Sequence, residues 1–175
     1  TRIMAADVNG DGYDDVVGYA PSNDLLCIHF TNTTSGGFEP QVNVSHATSI
    51  IDLAFGDFTG NGLDEMVSIQ SSGKVSVDQF SNRTNAFSNR DYTTVTLTGS
   101  TNPATLTHML FAYFDGPQSL PSLIACQNNG DADILFWSTS TNTIAIGSSL
   151  SGVSSDAVVG DFDGDQDLDI VASTP

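Results

Sequence analysis

Basic residues are scarce in this chain: 4 Lys+Arg stand against 21 Asp+Glu over 175 residues, a formal net charge of −17. Arg2, Lys74, Arg83 and Arg90 cannot assemble a surface that neutralises phosphates, so nucleic acid is excluded as a partner. The same deficit argues against an anionic membrane surface. No apolar run approaches the roughly 20 residues of a membrane-spanning helix, so direct membrane insertion is not expected. Histidine is limited to His29, His46 and His108, scattered along the chain without a zinc-binding spacing. No G-x-S-x-G, H-E-x-x-H or phosphate-cradling glycine loop occurs, so the sequence predicts no catalytic site. A helical period of 3.6 is also missing. Hydrophobic residues nevertheless make up 39% of the chain and charged residues 14%, which is the balance of a folded domain and not of a charged tail. The first residue is Thr1 and not Met, as expected of a mature product or an excerpt.

The acid that is present is concentrated. Twelve of the 21 acidic residues fall in three windows, Asp7–Asp15, Asp57–Glu65 and Asp161–Asp169. Each window places oxygen-bearing side chains at its positions 1, 3, 5 and 9. These are Asp7, Asn9, Asp11 and Asp15, then Asp57, Thr59, Asn61 and Glu65, then Asp161, Asp163, Asp165 and Asp169. Position 7, which is Tyr13, Leu63 or Asp167, is expected to offer its backbone carbonyl. Alternating oxygen donors separated by glycine suit a hard cation such as Ca²⁺, which takes 6–8 oxygens at roughly 2.3–2.6 Å. Left bare, such clustered carboxylates repel one another, and a divalent ion removes that cost. An EF-hand would need a carboxylate at position 12, but Gly18, Ser68 and Ala172 stand there. Apolar pairs follow instead, Val16-Val17, Met66-Val67 and Ile170-Val171, so the expected setting is a loop between two strands. Ordinary hairpin turns without an ion are the plainer alternative. Three windows in the same register weigh against it, and three structural Ca²⁺ sites are expected.

The windows begin at Asp7, Asp57 and Asp161, so the second interval is close to twice the first. A missing copy is therefore expected near residue 110, and Ala112-Tyr-Phe-Asp-Gly116 fills that place. Tyr113 replaces the first acid there and Pro117 the position-5 ligand, so its metal is expected to be lost. Outside the loops, Leu25–Phe30, Val75–Phe80 and Ile134–Trp137 repeat as strands, each followed by a polar turn. Four short strands about every 50 residues is the signature of a β-propeller blade, which cannot bury its own apolar face and must stack on neighbours. The blades are expected at 1–48, 49–105 and 106–152, with a partial one at 153–175, all within a single domain spanning 1–175.

These units resemble the FG-GAP/VCBS-type repeat family, the repeat of the integrin α-subunit propeller. Gly160–Val171 and Asp7–Val16 are close matches, Gly56–Val67 a weaker one, and 112–124 a degenerate one. The resemblance implies an all-β propeller in which the three intact loops are structural calcium sites. Similar units occur in certain fungal lectins and as accessory propellers of polysaccharide-acting enzymes. About 3.5 blades are present, and the family's propellers have about seven or eight. The chain is therefore expected to be a segment of a longer propeller, or to be completed by other copies.

Three N-x-Ser/Thr sequons occur, at Asn32, Asn43 and Asn82, the first and last at equivalent places in consecutive repeats. With calcium loops suited to millimolar Ca²⁺, they lead to the expectation of an extracellular, glycosylated protein. Cys27 and Cys126 fall on non-neighbouring blades, beyond the roughly 7 Å Cα limit for a bridge, so two free thiols are expected. Asp131 and Asp133 beside Asn128-Asn129-Gly130 are read as a plain turn. Phe136 and Trp137 are read as inter-blade core. A non-catalytic adhesion or protein-interaction propeller is the expected function. Its partner is expected to be a protein or the rest of a larger propeller, with glycan binding or a place beside a polysaccharide-acting enzyme as the alternatives.

Overall fold

Runs of Val, Ile, Leu and Phe broken by Gly, Asn and Asp favour short strands and tight turns. The computed structural model describes residues 2–45, 50–70, 74–81, 86–94, 106–114, 120–153, 157–165 and 168–173. Within them the strands are β1 (Arg2–Ala6), β2 (Asp15–Ala20), β3 (Leu25–His29), β4 (Thr31–Asn32), β5 (Gly37–Phe38) and β6 (Val42–Ser45). There follow β7 (Ile50–Gly56), β8 (Glu65–Gln70), β9 (Lys74–Ser81) and β10 (Ala86–Thr94). The third group is β11 (Leu106–Ala112), β12 (Ser122–Gln127), β13 (Asp131–Ser138) and β14 (Thr143–Ser151), and the last is β15 (Val158–Gly160) and β16 (Asp169–Val171).

Each group is an antiparallel meander. The first sheet runs β1-β2-β3-β6, the second β7-β8-β9-β10, the third β11-β12-β13-β14, and β15-β16 form a two-stranded sheet. The chain thus contains several four-stranded antiparallel sheets at regular intervals. One feature departs from the expected plan: β4 and β5 form a small separate hairpin between the third and fourth strands of the first sheet. Gly36, at φ +72, lies in its turn.

The sheets stack face to face. Ala6, Val17, Leu26 and Ile28 of the first sheet pack against Leu53, Met66 and Phe80 of the second. Val67, Ile69, Val75 and Val77, from the opposite face of the second sheet, pack against Leu123, Leu135 and Trp137 of the third. The third sheet's other face, with Ile124 and Cys126, meets Val159 and Ile170 of the two-stranded sheet. Successive residues of a strand point to opposite faces. Met66 therefore serves one interface and Val67 the next, and all of Glu65–Gln70 is buried. The first strands of the repeats are also neighbours in space: β7 lies against β1 and β11, and β11 against β15.

Two expectations on single residues resolve differently. Trp137 is buried in the interface between the second and third sheets, with its ring 6.2 Å from that of Phe58. Phe136 is not core: it is 38% exposed, because it lies on the face of β13 that only the short two-stranded sheet partly covers. Cys27 on β3 and Cys126 on β12 are free thiols in different sheets, the first half-buried and the second buried.

Candidate metal-binding loops

Each acidic window connects the first and second strands of its repeat, as the apolar pairs after it required. In the first loop, Asp7 accepts the backbone N–H groups of Gly10 (2.8 Å) and Asp11 (3.0 Å) on Oδ1 and of Gly12 (2.8 Å) on Oδ2. Asn9 Oδ1 accepts Asp11 N–H at 2.8 Å, and Asp11 Oδ1 accepts Tyr13 N–H at 3.0 Å. Asp15 is fully buried at the start of β2. Its Oδ1 accepts Thr31 N–H at 2.9 Å, while Oδ2 is buried with no hydrogen-bond partner. Burial first, and then the charges of Asp11 and Asp7, push its carboxyl up to about 6 against the backbone N–H groups of Thr31 and Val8, the second of which faces the carboxylate without the geometry of a full hydrogen bond. An orphaned, fully buried carboxylate oxygen beside two further carboxylates fits a cation. The exposed side chain of Tyr13 leaves only its backbone for such a role.

The third loop is the most convergent. Ligand oxygens of Asp161, Asp163 and Asp169 all lie within 4.8 Å of one another, the one such group of three among the described residues. Gly164 N–H donates to Asp161 Oδ1, Asp165 N–H to Asp163 Oδ1 and Phe162 N–H to Asp169 Oδ2, at 2.7, 3.1 and 3.0 Å. Three carboxylates at this separation also fit a divalent cation. Asp167 lies outside the described residues.

In the second loop the donor set closes on itself. Asp57 accepts Asn61 N–H and Gly62 N–H at 2.8 and 2.9 Å. Both oxygens of the buried Glu65 are occupied: Oε2 accepts Thr59 N–H at 3.0 Å, and Oε1 accepts Thr59 Oγ1–H and Asn61 Nδ2–H at 2.7 Å each. Desolvation raises the Glu65 carboxyl above its ordinary value, and its hydrogen bonds to Thr59 and Asn61 work against that. This donor set fits a cation less well than the other two.

Leu63, proposed only for its carbonyl, does something else with its side chain. A Cβ built on Gly10 would lie 2.2 Å from Leu63 Cδ2, so the leucine sits in a notch that glycine, at φ +75, leaves open. Leu120 fills the same notch at Gly60. Asp64 completes the link between the first two loops: its Oδ2 accepts Asp7 N–H at 2.9 Å, and its own N–H donates to Asp7 O at 3.0 Å.

Asp15, Asp64 and Glu65 all have raised carboxyl pKa values, with burial the first cause. A raised folded-state value means that the folded chain holds the proton more tightly than the unfolded one. The stabilisation from Asp15 is therefore full below its ordinary 3.8 and is lost as the pH rises through about 6. Metal-free protein should melt at progressively lower temperature between about pH 4 and 7, and Asp15→Asn should flatten that slope in thermal melts. A melting temperature that rises over this range would contradict the assignment.

The expected glycan acceptors are placed in part. Asn32 lies in the β4–β5 hairpin with Oδ1 accepting Thr34 and Ser35 N–H, and Asn43 is exposed on the edge strand β6. Asn82 lies outside the described residues, as do Pro117 and His46. Asn129 and Asp131 bond each other across the turn before β13, and Asp133 is buried, accepting Ser149 Oγ–H at 2.7 Å.

One charged group escaped the sequence reading. Asp52 on β7 is buried and accepts Leu53 N–H (2.9 Å) and Met109 N–H (2.7 Å), while pairing with Arg2 of β1 and lying 3.5 Å from Nδ1 of His108 on β11. One residue from each of three adjacent first strands thus meets at one point. Arg2, Asp52 and His108 all stand five residues before position 1 of their loop or of its degenerate copy at Tyr113, and that shared spacing was the available signal.

Face-to-face stacking of four-stranded antiparallel meanders defines a β-propeller-like repeat protein, and the comparisons agree. Residues 7–68 match the FG-GAP-like repeat, so the chain carries a repeat of FG-GAP type. No curated protein matches the sequence significantly. Among solved structures, the exotype rhamnogalacturonan lyase YesX aligns over 99% of this chain and 38% of its own length, at 14% identity and a TM-score of 0.60. BBS1N in complex with ARL6DN aligns over 98% of this chain and 56% of its own, at 14% identity and a TM-score of 0.57. A Lactobacillus plantarum protein aligns over 84% and 41%, at 13% identity and a TM-score of 0.50. At such identities the likeness is one of fold. The chain spans about two fifths to just over half of the structures it matches.

Proposed function

We propose that this chain is part of a calcium-stabilised, non-catalytic β-propeller that works outside the cell as a structural or protein-interaction module. The observation that carries the reading is the acidic loop at a fixed place in successive repeats, with Asp161, Asp163 and Asp169 convergent in one and Asp15 Oδ2 unsatisfied in another. Calcium at these loops would neutralise the converging carboxylates and tie the first strand of a repeat to its second. Asp7, Asn9, Asp11 and Asp15, with Asp161, Asp163, Asp165 and Asp169, are the side chains that would hold it.

The end faces of the stack support the larger assembly. Ile3 on the outer side of β1 is 78% exposed, and Val158 and Val171 of the two-stranded sheet are 51% and 48% exposed. Since the second and third sheets each pack against a neighbour on both faces, these two end faces suit further repeats of a propeller. The sequons Asn32, Asn43 and Asn82 fit a glycosylated, extracellular setting. BBS1N, a structural neighbour, is in complex with ARL6DN, which agrees with a protein partner here.

A carbohydrate-binding reading has one observation of its own. A cleft of about 250 Å³ is lined by the polar groups of Asn9, Asp11, Thr31 and Glu39, with Phe30, whose ring packs on Phe80, at its edge; such polar groups can hydrogen-bond a sugar. A structural neighbour is named as a rhamnogalacturonan lyase, which keeps a role beside a polysaccharide-acting enzyme in view. A glycan array probed with the native protein, in millimolar calcium and in chelator, separates the readings. The protein-interaction account predicts no saturable binding from folded protein. Saturable binding to one sugar class, abolished by Glu39→Ala at the exposed wall of the cleft, would replace it with the carbohydrate reading.

A further inference from the structure

The three acidic loops share a spacing but not a chemistry. At position 9 the first and third loops carry Asp15 and Asp169, and the second carries Glu65. The extra methylene changes what the carboxylate reaches. Asp15 gives Oδ1 to Thr31 N–H outside its loop, and its buried Oδ2 has no partner of full hydrogen-bond geometry, only the nearby Val8 N–H. Glu65 instead reaches across its own loop, where three donors from Thr59 and Asn61 occupy its two oxygens.

The residues at positions 3 and 5 differ in the same direction. Asp11 and Asn61 occupy position 5, and each gives Oδ1 to the backbone N–H two residues on, at Tyr13 and Leu63. The remaining atom is an acceptor in Asp11, where Oδ2 takes the exposed Asn9 Nδ2–H at 3.1 Å, but a donor in Asn61, whose Nδ2 is committed to the buried Glu65 at 2.7 Å. Thr59 at position 3 likewise points a hydroxyl proton at Glu65, where the third loop has Asp163. A cation needs acceptors that converge and are free. In the second loop Thr59 and Asn61 turn their donors toward the buried Glu65, and the other carboxylate, Asp57, accepts the Asn61 and Gly62 backbone N–H groups.

We infer that the second loop is a cation-independent clasp, in which the Glu65 carboxylate stands where the other loops would hold calcium. The inference refines the calcium reading proposed above, by assigning the ion to the first and third loops and withholding it from the second. The clasp also has a mechanical consequence. The second loop grips the first through Leu63 on Gly10 and Asp64 on Asp7, and receives Leu120 at Gly60. Depleting calcium should therefore loosen the first and third loops while the contact point between the repeats stays closed.

Hydrogen exchange of the intact chain, in millimolar calcium and after chelation, tests this. The amides of Asn61, Gly62 and Leu63 are expected to exchange at the same rate in both buffers, and those of Gly10–Tyr13 and Gly164–Asp165 about tenfold faster without calcium. Glu65→Ala should open the 57–65 segment in both buffers, and Thr59→Val should do so in part without endangering the fold. Introducing Thr59→Asp with Asn61→Asp should make protection of that segment calcium-dependent. Loss of protection over 57–65 in wild-type protein on chelation would overturn the clasp, as would Glu65→Ala leaving it protected. No effect of calcium on the first and third loops would overturn the calcium reading, while the Glu65→Ala arm would still decide the clasp.

Discussion

Replacing Asp52 with Ala should destabilise the chain by about 3 kcal/mol, the loss expected when one partner of a buried charged network is removed. The side chain is 5% exposed and every direction around it is used. Removing it strands the Met109 and Leu53 N–H groups and takes away the carboxylate that pairs with Arg2 and faces His108 Nδ1. Because Arg2 belongs to the first sheet and His108 to the third, the loss falls on the contact between three repeats and not within one. Arg2→Ala should cost much less, about 1 kcal/mol or below, since the guanidinium is partly in water. Urea unfolding of the two variants measures both. Equal and small losses would mean that Asp52 is spectator charge and that β1, β7 and β11 are held by packing alone.

Phe58→Ala should cost about 3–5 kcal/mol, a second large effect with a different origin. Phe58 follows directly on position 1 of the second loop and is fully buried in the interface between the second and third sheets. Its ring meets Phe111 at 5.7 Å and Trp137 at 6.2 Å, both edge to face. Truncation opens a cavity where Gly56 already leaves no spare room, since a Cβ there would lie 2.6 Å from the Phe111 ring. The near-ultraviolet signal of Trp137, the only tryptophan in the chain, should weaken as well. A loss under about 1 kcal/mol would show that this interface repacks freely.

Much of the architecture was legible in the order of residues. The 1-3-5-9 acid spacing marked three strand-to-strand loops, and their intervals pointed to a degenerate fourth copy, whose Ala112 does end β11 before the β12 strand at Ser122–Gln127. What escaped were features set by reach and not by type. Thr59, Asn61 and Glu65 read as oxygen ligands, because a sequence does not show that two of them turn donors toward the third. Asp52 lay inside an apolar strand run and outside every acidic window, so it drew no notice until β1 and β11 were brought beside it. The misplacement of Phe136 was avoidable: a strand cannot bury both of two successive residues unless both faces are covered, and Phe136 lies where the cover is incomplete. The β4–β5 hairpin was read as a plain polar turn, which two-residue strands scarcely distinguish in sequence.

The pairing of converging carboxylates with an orphaned Asp15 oxygen is the core of the functional account, so the decisive measurement is calorimetric melting of the intact protein at neutral pH in millimolar calcium and again after chelation. Binding at a hundredfold excess over Kd adds about 2.7 kcal/mol per site to the folded state. The account predicts a clear rise in melting temperature with calcium, reduced in part by Asp163→Ala and in part by Asp15→Asn. Identical melting with and without calcium would contradict it.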